Sequence, residues 1–160
     1  MKQGSTLFLK VAVIFIGIPI LTLCIFVLPL IAKDAAESSL KMAYVLYGIL
    51  TVMYVSAIPF FGALYQAFRL LTYIDENKAF SELSVKALKN IKNCATTISL
   101  LYVAAMPLFY VVGEVDDAPG AILIGMIFVF APMVIAVFAA VLQKLLKEAI
   151  DIKSDNDLTI

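Results

Sequence analysis

Four uncharged stretches of 21 to 27 residues divide this chain of 160 residues, and they constrain its fold more than any other feature. They occupy residues 11–32, 42–68, 93–113 and 118–143. A helix needs about 20 apolar residues to cross a hydrocarbon core of ~30 Å, so each stretch is long enough to cross once. We therefore predict an all-α integral membrane protein in which four transmembrane helices form one domain, residues 1–160.

The composition supports a membrane protein and argues against an enzyme. Hydrophobic residues make up 63% of the chain and charged residues only 15%, whereas soluble domains are about 45–50% apolar. There is no histidine, and the two cysteines lie far apart in the sequence. Without imidazole, most metal centres and the common acid–base and nucleophilic constellations are excluded. We predict no enzymatic activity and no cofactor.

The first stretch has a second interpretation, a cleaved signal peptide. Residues 11–32 exceed the ~7–15 apolar residues of a signal-peptide core, and they contain two prolines. We interpret the stretch as a retained span.

The distribution of basic residues predicts the orientation. Ten of the twelve lie before the first stretch, between the second and third, or after the fourth. Only Lys33 and Lys41 lie in the other two loops. By the positive-inside rule both termini are cytoplasmic, and the outer face is acidic.

Two cytoplasmic extensions are predicted to be helical. In the connector, residues 69–92, we expect 69–75 to prolong the second helix and 76–78 to form a turn. Ser81 is a plausible N-cap for the next helix, with Phe80 as a hydrophobic staple against Val85. The new helix would run into the third span. Its cytoplasmic part is either a connector that is solvated or touches lipid headgroups, or a protein-binding face.

The tail, residues 144–160, continues a helical apolar pattern as far as Ile150. It is predicted to break at residues 154–157 before the apolar end Leu158-Thr159-Ile160. We expect Leu158 and Ile160 either to pack against the Leu83, Leu88 and Ile91 face of the connector or to add to a partner as a short strand.

The acidic outer loop carries Glu114, Asp116 and Asp117. Three carboxylates could contribute oxygen ligands to a cation, although Ca²⁺ prefers six or more. The simpler interpretation is that Asp117 caps the fourth helix, with Pro119 in its first turn.

Other residues inside the spans have structural interpretations. Besides Pro119 at the start of the fourth stretch, five prolines lie inside the spans, either as hinges or as the ordinary prolines of membrane helices. The phenols of Tyr54 and Tyr102 lie deep, so each needs a partner across a helix interface or lines a ligand pocket. Small-residue pairs four apart permit close packing within one chain or in a homo-oligomer.

Several motifs give the whole chain a family resemblance, the terminal one most specifically. They are Leu70-Leu71 with Ile74-Asp75, Phe80-Ser81, Leu88 and Ile91, Asp116-Asp117-Ala118-Pro119-Gly120, and Asn156-Asp157-Leu158-Thr159-Ile160. The chain resembles a family of uncharacterised four-span bacterial membrane proteins, a domain of unknown function. The resemblance implies a bacterial cytoplasmic membrane protein. Members are often encoded beside a small Cro-like helix-turn-helix transcription regulator, which implies a regulatory pair.

Two functions from different classes remain open. The first is a non-enzymatic membrane protein that binds or sequesters the helix-turn-helix regulator in response to a membrane signal, with no direct nucleic-acid binding. The alternative is a small transport or immunity protein acting on an amphipathic peptide or another membrane-active compound. Residues assigned to partner binding are Asp75, Phe80, Ser81, Asp155, Asn156, Asp157, Leu158, Thr159 and Ile160.

Overall fold

Four long helices joined by short turns make up the part of the chain that the computed structural model describes, residues 3–37, 39–115, 117 and 119–159. The first long helix consists of α1 (Gln3–Thr22), a π-helical turn (Leu23–Val27) and α2 (Leu28–Glu37). It is followed by α3 (Leu40–Asp75), α4 (Glu82–Val115) and α5 (Gly120–Thr159). Within these residues, four helices are long and apolar enough to cross a membrane, which confirms the predicted all-α class.

The helices on both sides of the connector extend beyond the uncharged stretches, as predicted. The second stretch continues without interruption to Asp75, and the third is preceded by helix from Glu82. The turn at residues 76–78 has the hydrogen bonds of a Schellman motif: Lys78 N–H donates to the Tyr73 carbonyl and Asn77 N–H to that of Ile74. Asn77 takes the left-handed conformation that this motif requires, with φ of 60°.

The predicted break in the tail is wrong. Residues 154–157 continue α5 as far as Thr159. Asp, Asn and Ser cost only a few tenths of a kcal/mol each relative to good helix formers, up to ~0.7 kcal/mol. Each residue added to an existing helix also gains a hydrogen bond, and the segment has no glycine or proline to end the helix.

The predicted cap by Asp117 is also wrong. The helix begins at Gly120, so Pro119 precedes the first turn instead of lying within it. The Pro119 carbonyl accepts from the Leu123 N–H at 3.4 Å. Asp117 lies two residues before Pro119. Its backbone has the left-handed conformation, with φ of 50°, which aspartate tolerates better than most residues. Its backbone N–H donates to the Glu114 carbonyl, so Asp117 helps to turn the chain rather than to cap α5.

Packing is mainly between helices that are consecutive in the sequence. The most extensive interfaces are α4 with α5 and α3 with α4, while the first long helix packs less extensively on α3. The first long helix is also the least buried of the four. The four helices therefore consist of a well-packed group, α3 to α5, and a first long helix that is attached to it more loosely.

A small aromatic core joins α3, α4 and α5. Its buried members are Tyr102, Ala105, Phe109 and Val129. Polar bonds accompany the packing: the Tyr102 hydroxyl lies 2.9 Å from Ser56 Oγ, and Ser99 Oγ donates to the Val129 carbonyl at 2.8 Å. The prediction that Tyr102 finds a partner across a helix interface is confirmed.

The π-helical turn ends two residues before Pro29 in the first long helix. The Leu28 N–H donates to the Leu23 carbonyl, five residues back. Pro29 has no N–H to continue the regular ladder, and proline is an established cause of irregular helix geometry. The Tyr54 hydroxyl of α3 donates to the Cys24 carbonyl inside the turn at 2.9 Å, which is the interhelical partner predicted for Tyr54.

Candidate functional site

One end of the molecule, which we call the basic end, brings together the start of the first long helix, the α3–α4 turn and the end of α5. Lys10 of the first helix contacts Asp75 at the end of α3. Phe80, just before α4, lies beside the last turns of α5. This end therefore carries most of the residues that the sequence assigned to partner binding.

An open groove of ≈ 340 Å³ lies between the α3–α4 turn and α5. Its lining residues are Phe80, Ile150, Lys153, Ser154 and Leu158. Phe80 is 54% exposed and Leu158 83% exposed, although both are large apolar side chains outside the uncharged stretches. The groove thus has apolar walls and one ammonium group, and it opens at the basic end.

The serines that follow the turn determine how Phe80 is presented. The hydroxyls of Ser81 and Ser84 both donate to the Lys78 carbonyl, and Ser84 is fully buried. The Ser81 carbonyl accepts from the backbone N–H groups of Ser84 and Val85, so Ser81 occupies the predicted N-cap position. Its hydroxyl, however, donates to the Lys78 carbonyl in the preceding turn. Phe80 therefore lies between two residues that this hydrogen bond joins.

Asp75 has an intramolecular role in the structure. Its carboxylate accepts hydrogen bonds from the Thr6 hydroxyl and the Lys10 ammonium, the latter at 2.8 Å. Lys10 also lies over the Phe68 ring, 5.3 Å from its centroid. Asp75 lies beyond the uncharged stretch of α3, and the bonds from Lys10 and then Thr6 hold the pKa of its carboxyl below the usual value. These bonds attach the first long helix to α3.

Two of the tail residues that the sequence assigned to partner binding have exposed polar side chains. Asp155 and Asn156 are exposed on α5. Leu158 lies beside Phe80 and does not pack against the predicted face of the connector, where Leu83 is itself exposed and Leu88 is buried. Ile160 lies outside the described residues, as do the side chains of Asp157 and Thr159.

The acidic loop at the opposite end has different partners. Tyr110 donates from its hydroxyl to Glu114 Oε1 at 2.8 Å. Asp116 lies outside the described residues, and among those described no group of three or more potential ligands could hold a metal ion.

Sequence reasoning missed Ile150, Lys153 and Ser154 as groove residues, and Thr6 and Lys10 as the partners of Asp75. The groove residues had a signal: positions 150, 154 and 158 follow the four-residue spacing of a helix face. The predicted break at 154–157 hid that spacing. The contacts of Asp75 join residues 69 and 65 positions apart, for which local patterns carry no signal.

Comparison with known proteins agrees with this architecture. A family described as "Protein of unknown function (DUF2975)" matches residues 30–160. The chain is also similar to a protein of Bacillus subtilis (strain 168) described as "Uncharacterized membrane protein YoaS", with 64% identity over 160 residues that cover both chains completely. No solved structure matches. The four apolar helices and these similarities identify a multi-pass membrane protein in contact with the lipid bilayer.

Proposed function

Because the chain belongs to a family of proteins of unknown function (DUF2975), we propose its role from its own residues and from the regulatory pair that the family resemblance implies: it is a non-enzymatic protein of the bacterial cytoplasmic membrane that binds a cytoplasmic protein at its basic end. The partner that we propose is a small helix-turn-helix transcription regulator. A signal in the membrane would then change whether the regulator is held or released. The groove beside Phe80 and Leu158 is the proposed docking element.

The observation that carries this proposal is the exposure of apolar side chains beyond the uncharged stretches. Apolar groups that face lipid need no other explanation, but Phe80 and Leu158 lie in segments whose neighbours are charged. Exposed apolar surface with a polar rim is typical of interaction sites. Lys153 supplies a charge to such a rim, and an exposed ion pair that it forms with a partner would contribute only ~0–1 kcal/mol, so apolar contacts would dominate binding.

The proposed orientation is directly testable. Ten of the twelve basic residues lie in segments assigned to the cytoplasm, so reporters fused after Lys10, within residues 76–78 and after Ile160 are expected to report a cytoplasmic location. A reporter inserted at Asp116 is expected to report the outside. A pair of reporters that distinguishes the two sides, one of them active only in the cytoplasm, provides the measurement. An outside location for residues 76–78 would contradict the topology and, with it, the access of the groove to a cytoplasmic protein.

Partner capture is expected to depend on the groove. The full-length protein, solubilised in detergent, would be used to co-purify a Cro-like helix-turn-helix regulator of the kind that the family resemblance implies. Leu158→Asp places a charge on an apolar wall, and deletion of residues 156–160 removes that wall. Since buried apolar anchors typically contribute 2 kcal/mol or more, we expect each change to lower recovery of the regulator by about tenfold or more.

Ile152→Asp is the matched control for this experiment. Ile152 is exposed on the same helix but does not line the groove, so the same substitution there is expected to leave recovery within about twofold of the unmodified protein. Equal recovery by the unmodified and the Leu158→Asp proteins would remove the groove from the proposal. No recovery by any of them would count against the regulator as the partner.

A further inference from the structure

The outermost two of the four exposed tyrosines on α3 have the separation expected of the two boundaries of a hydrocarbon core. Tyr44 is 70% exposed and Tyr65 is 59% exposed, and 21 positions separate them in one continuous helix. At ~1.5 Å per residue they lie about 32 Å apart along the axis, close to the ~30 Å thickness of the core. Tyrosine is enriched at both membrane–water interfaces because its ring is apolar and its hydroxyl is polar. Tyr65 therefore marks the core boundary nearer the basic end.

Arg69 lies one helical turn beyond Tyr65, on the headgroup side. Four residues advance the helix by about 6 Å, and each headgroup layer adds about 5–7 Å to the core, so the guanidinium lies at the depth of the lipid phosphates. It is the only arginine in the sequence, the other eleven basic residues being lysines. Arginine differs from lysine in presenting a planar fork of donors that matches two phosphate oxygens at once.

Two aromatic rings hold the guanidinium in place. Its central carbon lies 5.7 Å from the centroid of the Tyr65 ring and 5.5 Å from that of Tyr73. These residues precede and follow Arg69 by one turn, so the three form a stripe along one face of α3. A guanidinium stacked in this way loses less side-chain freedom when it binds a ligand than a free lysine does.

The nearest carboxylates in the sequence are already bound to lysines. Asp75 accepts from Lys10 at 2.8 Å, and Glu76 pairs with Lys78 at 3.4 Å. Among the residues that the structure describes, no carboxylate pairs with Arg69, which is itself exposed. Arg69 is thus an oriented cation that no carboxylate of the described residues pairs with, at the depth where phosphate groups are concentrated.

We propose that Arg69, held by Tyr65 and Tyr73, is a binding site for the phosphate group of an anionic phospholipid. The guanidinium donates two parallel hydrogen bonds to phosphate oxygens. The lipid's acyl chains lie along the apolar surface of α3 between Tyr65 and Tyr44. The inference requires only that α3 crosses the membrane, so it holds whichever side the basic end faces. It is independent of the groove and of any protein partner.

Native mass spectrometry of the full-length protein in detergent tests the site. The protein is titrated with dioleoyl phosphatidylglycerol and, separately, with zwitterionic dioleoyl phosphatidylcholine. We expect preferential binding of phosphatidylglycerol and, because charge-assisted bidentate bonds are the strongest of their kind, about tenfold weaker binding after Arg69→Gln. Arg69→Lys keeps the charge without the fork, so its affinity is expected to fall between the two.

Two further variants separate a built site from general attraction between charges. Lys144→Gln removes one exposed positive charge immediately after the fourth uncharged stretch, at the same end of the molecule. Because Lys144 lies over no aromatic ring of the described residues, we expect less than about a twofold effect there. The double variant Tyr65→Leu, Tyr73→Leu keeps Arg69 and is expected to weaken phosphatidylglycerol binding measurably, since it removes both stacking rings.

The outcomes distinguish lipid from free phosphate and can overturn the site. If millimolar inorganic phosphate leaves the phosphatidylglycerol adducts in place, the acyl chains contribute and the ligand is a lipid. If inorganic phosphate displaces them, the site binds free phosphate and the lipid assignment is wrong. Unchanged phosphatidylglycerol binding by both Arg69→Gln and Arg69→Lys would overturn the proposal, as would an equal loss caused by Lys144→Gln.

Discussion

Tyr102→Ala is expected to destabilise the protein by about 2–4 kcal/mol, in the lower part of the range for large aromatic truncations because the unfolded helices still face lipid or detergent. Tyr102 is buried in the aromatic core and stacks on Phe128 with ring centroids 5.0 Å apart. It also contacts Phe109 across a centroid distance of 6.4 Å. Alanine would leave a cavity where α3, α4 and α5 meet. Denaturant-induced unfolding in detergent, followed by circular dichroism, measures the loss.

Tyr102→Phe separates the hydroxyl from the ring. Ser56 Oγ donates to the Met53 carbonyl at 2.9 Å, so the Tyr102 hydroxyl is the donor in the bond between the two side chains. Removing it leaves Ser56 bonded, and interhelical hydrogen bonds in membranes average about 0.6 kcal/mol, so the loss should be small. Tyr44→Ala, at an exposed position on α3, is the control for truncation itself. If Tyr102→Ala and Tyr44→Ala unfold at the same denaturant concentration, the described core does not hold the helices together.

Gly125→Val is expected to be the second most damaging change, with a loss of about 1–3 kcal/mol from overpacking. A Cβ atom at position 125 would lie 2.9 Å from Met106 Sδ and 3.0 Å from Phe109 Cγ. The methionine can move, but the Phe109 ring belongs to the aromatic core and cannot move without disturbing it. The interface between α4 and α5 would therefore have to separate. The measurement is the same unfolding curve in detergent.

Gly120→Val is the matched substitution for this comparison. A Cβ atom at Gly120 meets nothing within 4 Å, and the residue lies in the first turn of the same helix. We expect a change within about 0.5 kcal/mol, as for other surface positions. Equal destabilisation by the two valine variants would mean that helix propensity, rather than contact between α4 and α5, determines the effect.

The course of the helices was predictable because the information was local. Charge interruptions and apolar length defined four helices, and turn-forming residues 76–78 placed the end of α3 and the start of α4 to within a few residues. The same local reasoning failed at residues 154–157, where residues that favour turns in isolation follow a long helix that already supplies the nucleus. Propensity differences of a few tenths of a kcal/mol are too small to stop such a helix.

The candidate site was only partly predictable because it depends on contacts between distant segments. Phe80 and Leu158 are both assigned to partner binding from the sequence, but nothing local indicates that they share one groove. Asp75 was assigned to partner binding, whereas its contacts are with Thr6 and Lys10 of the first helix. The buried face of the first turn of α4 also differs from the predicted one, because it depends on a contact with the preceding turn. Ser84, a polar residue outside the apolar pattern, is buried because its hydroxyl bonds to the Lys78 carbonyl, while Leu83 is exposed.

Packing between consecutive helices has a consequence for biosynthesis. Each new helix finds a helix on which it packs already present in the membrane, since α3 packs on the first long helix, α4 on α3 and α5 on α4. Contacts of low sequence separation form quickly, so assembly can follow the order of translation. Lys10 and Thr6 can engage Asp75 as soon as the second crossing is complete, before the third has left the insertion machinery. The most extensive interface, between α4 and α5, forms last and joins the final helix to a partly assembled protein.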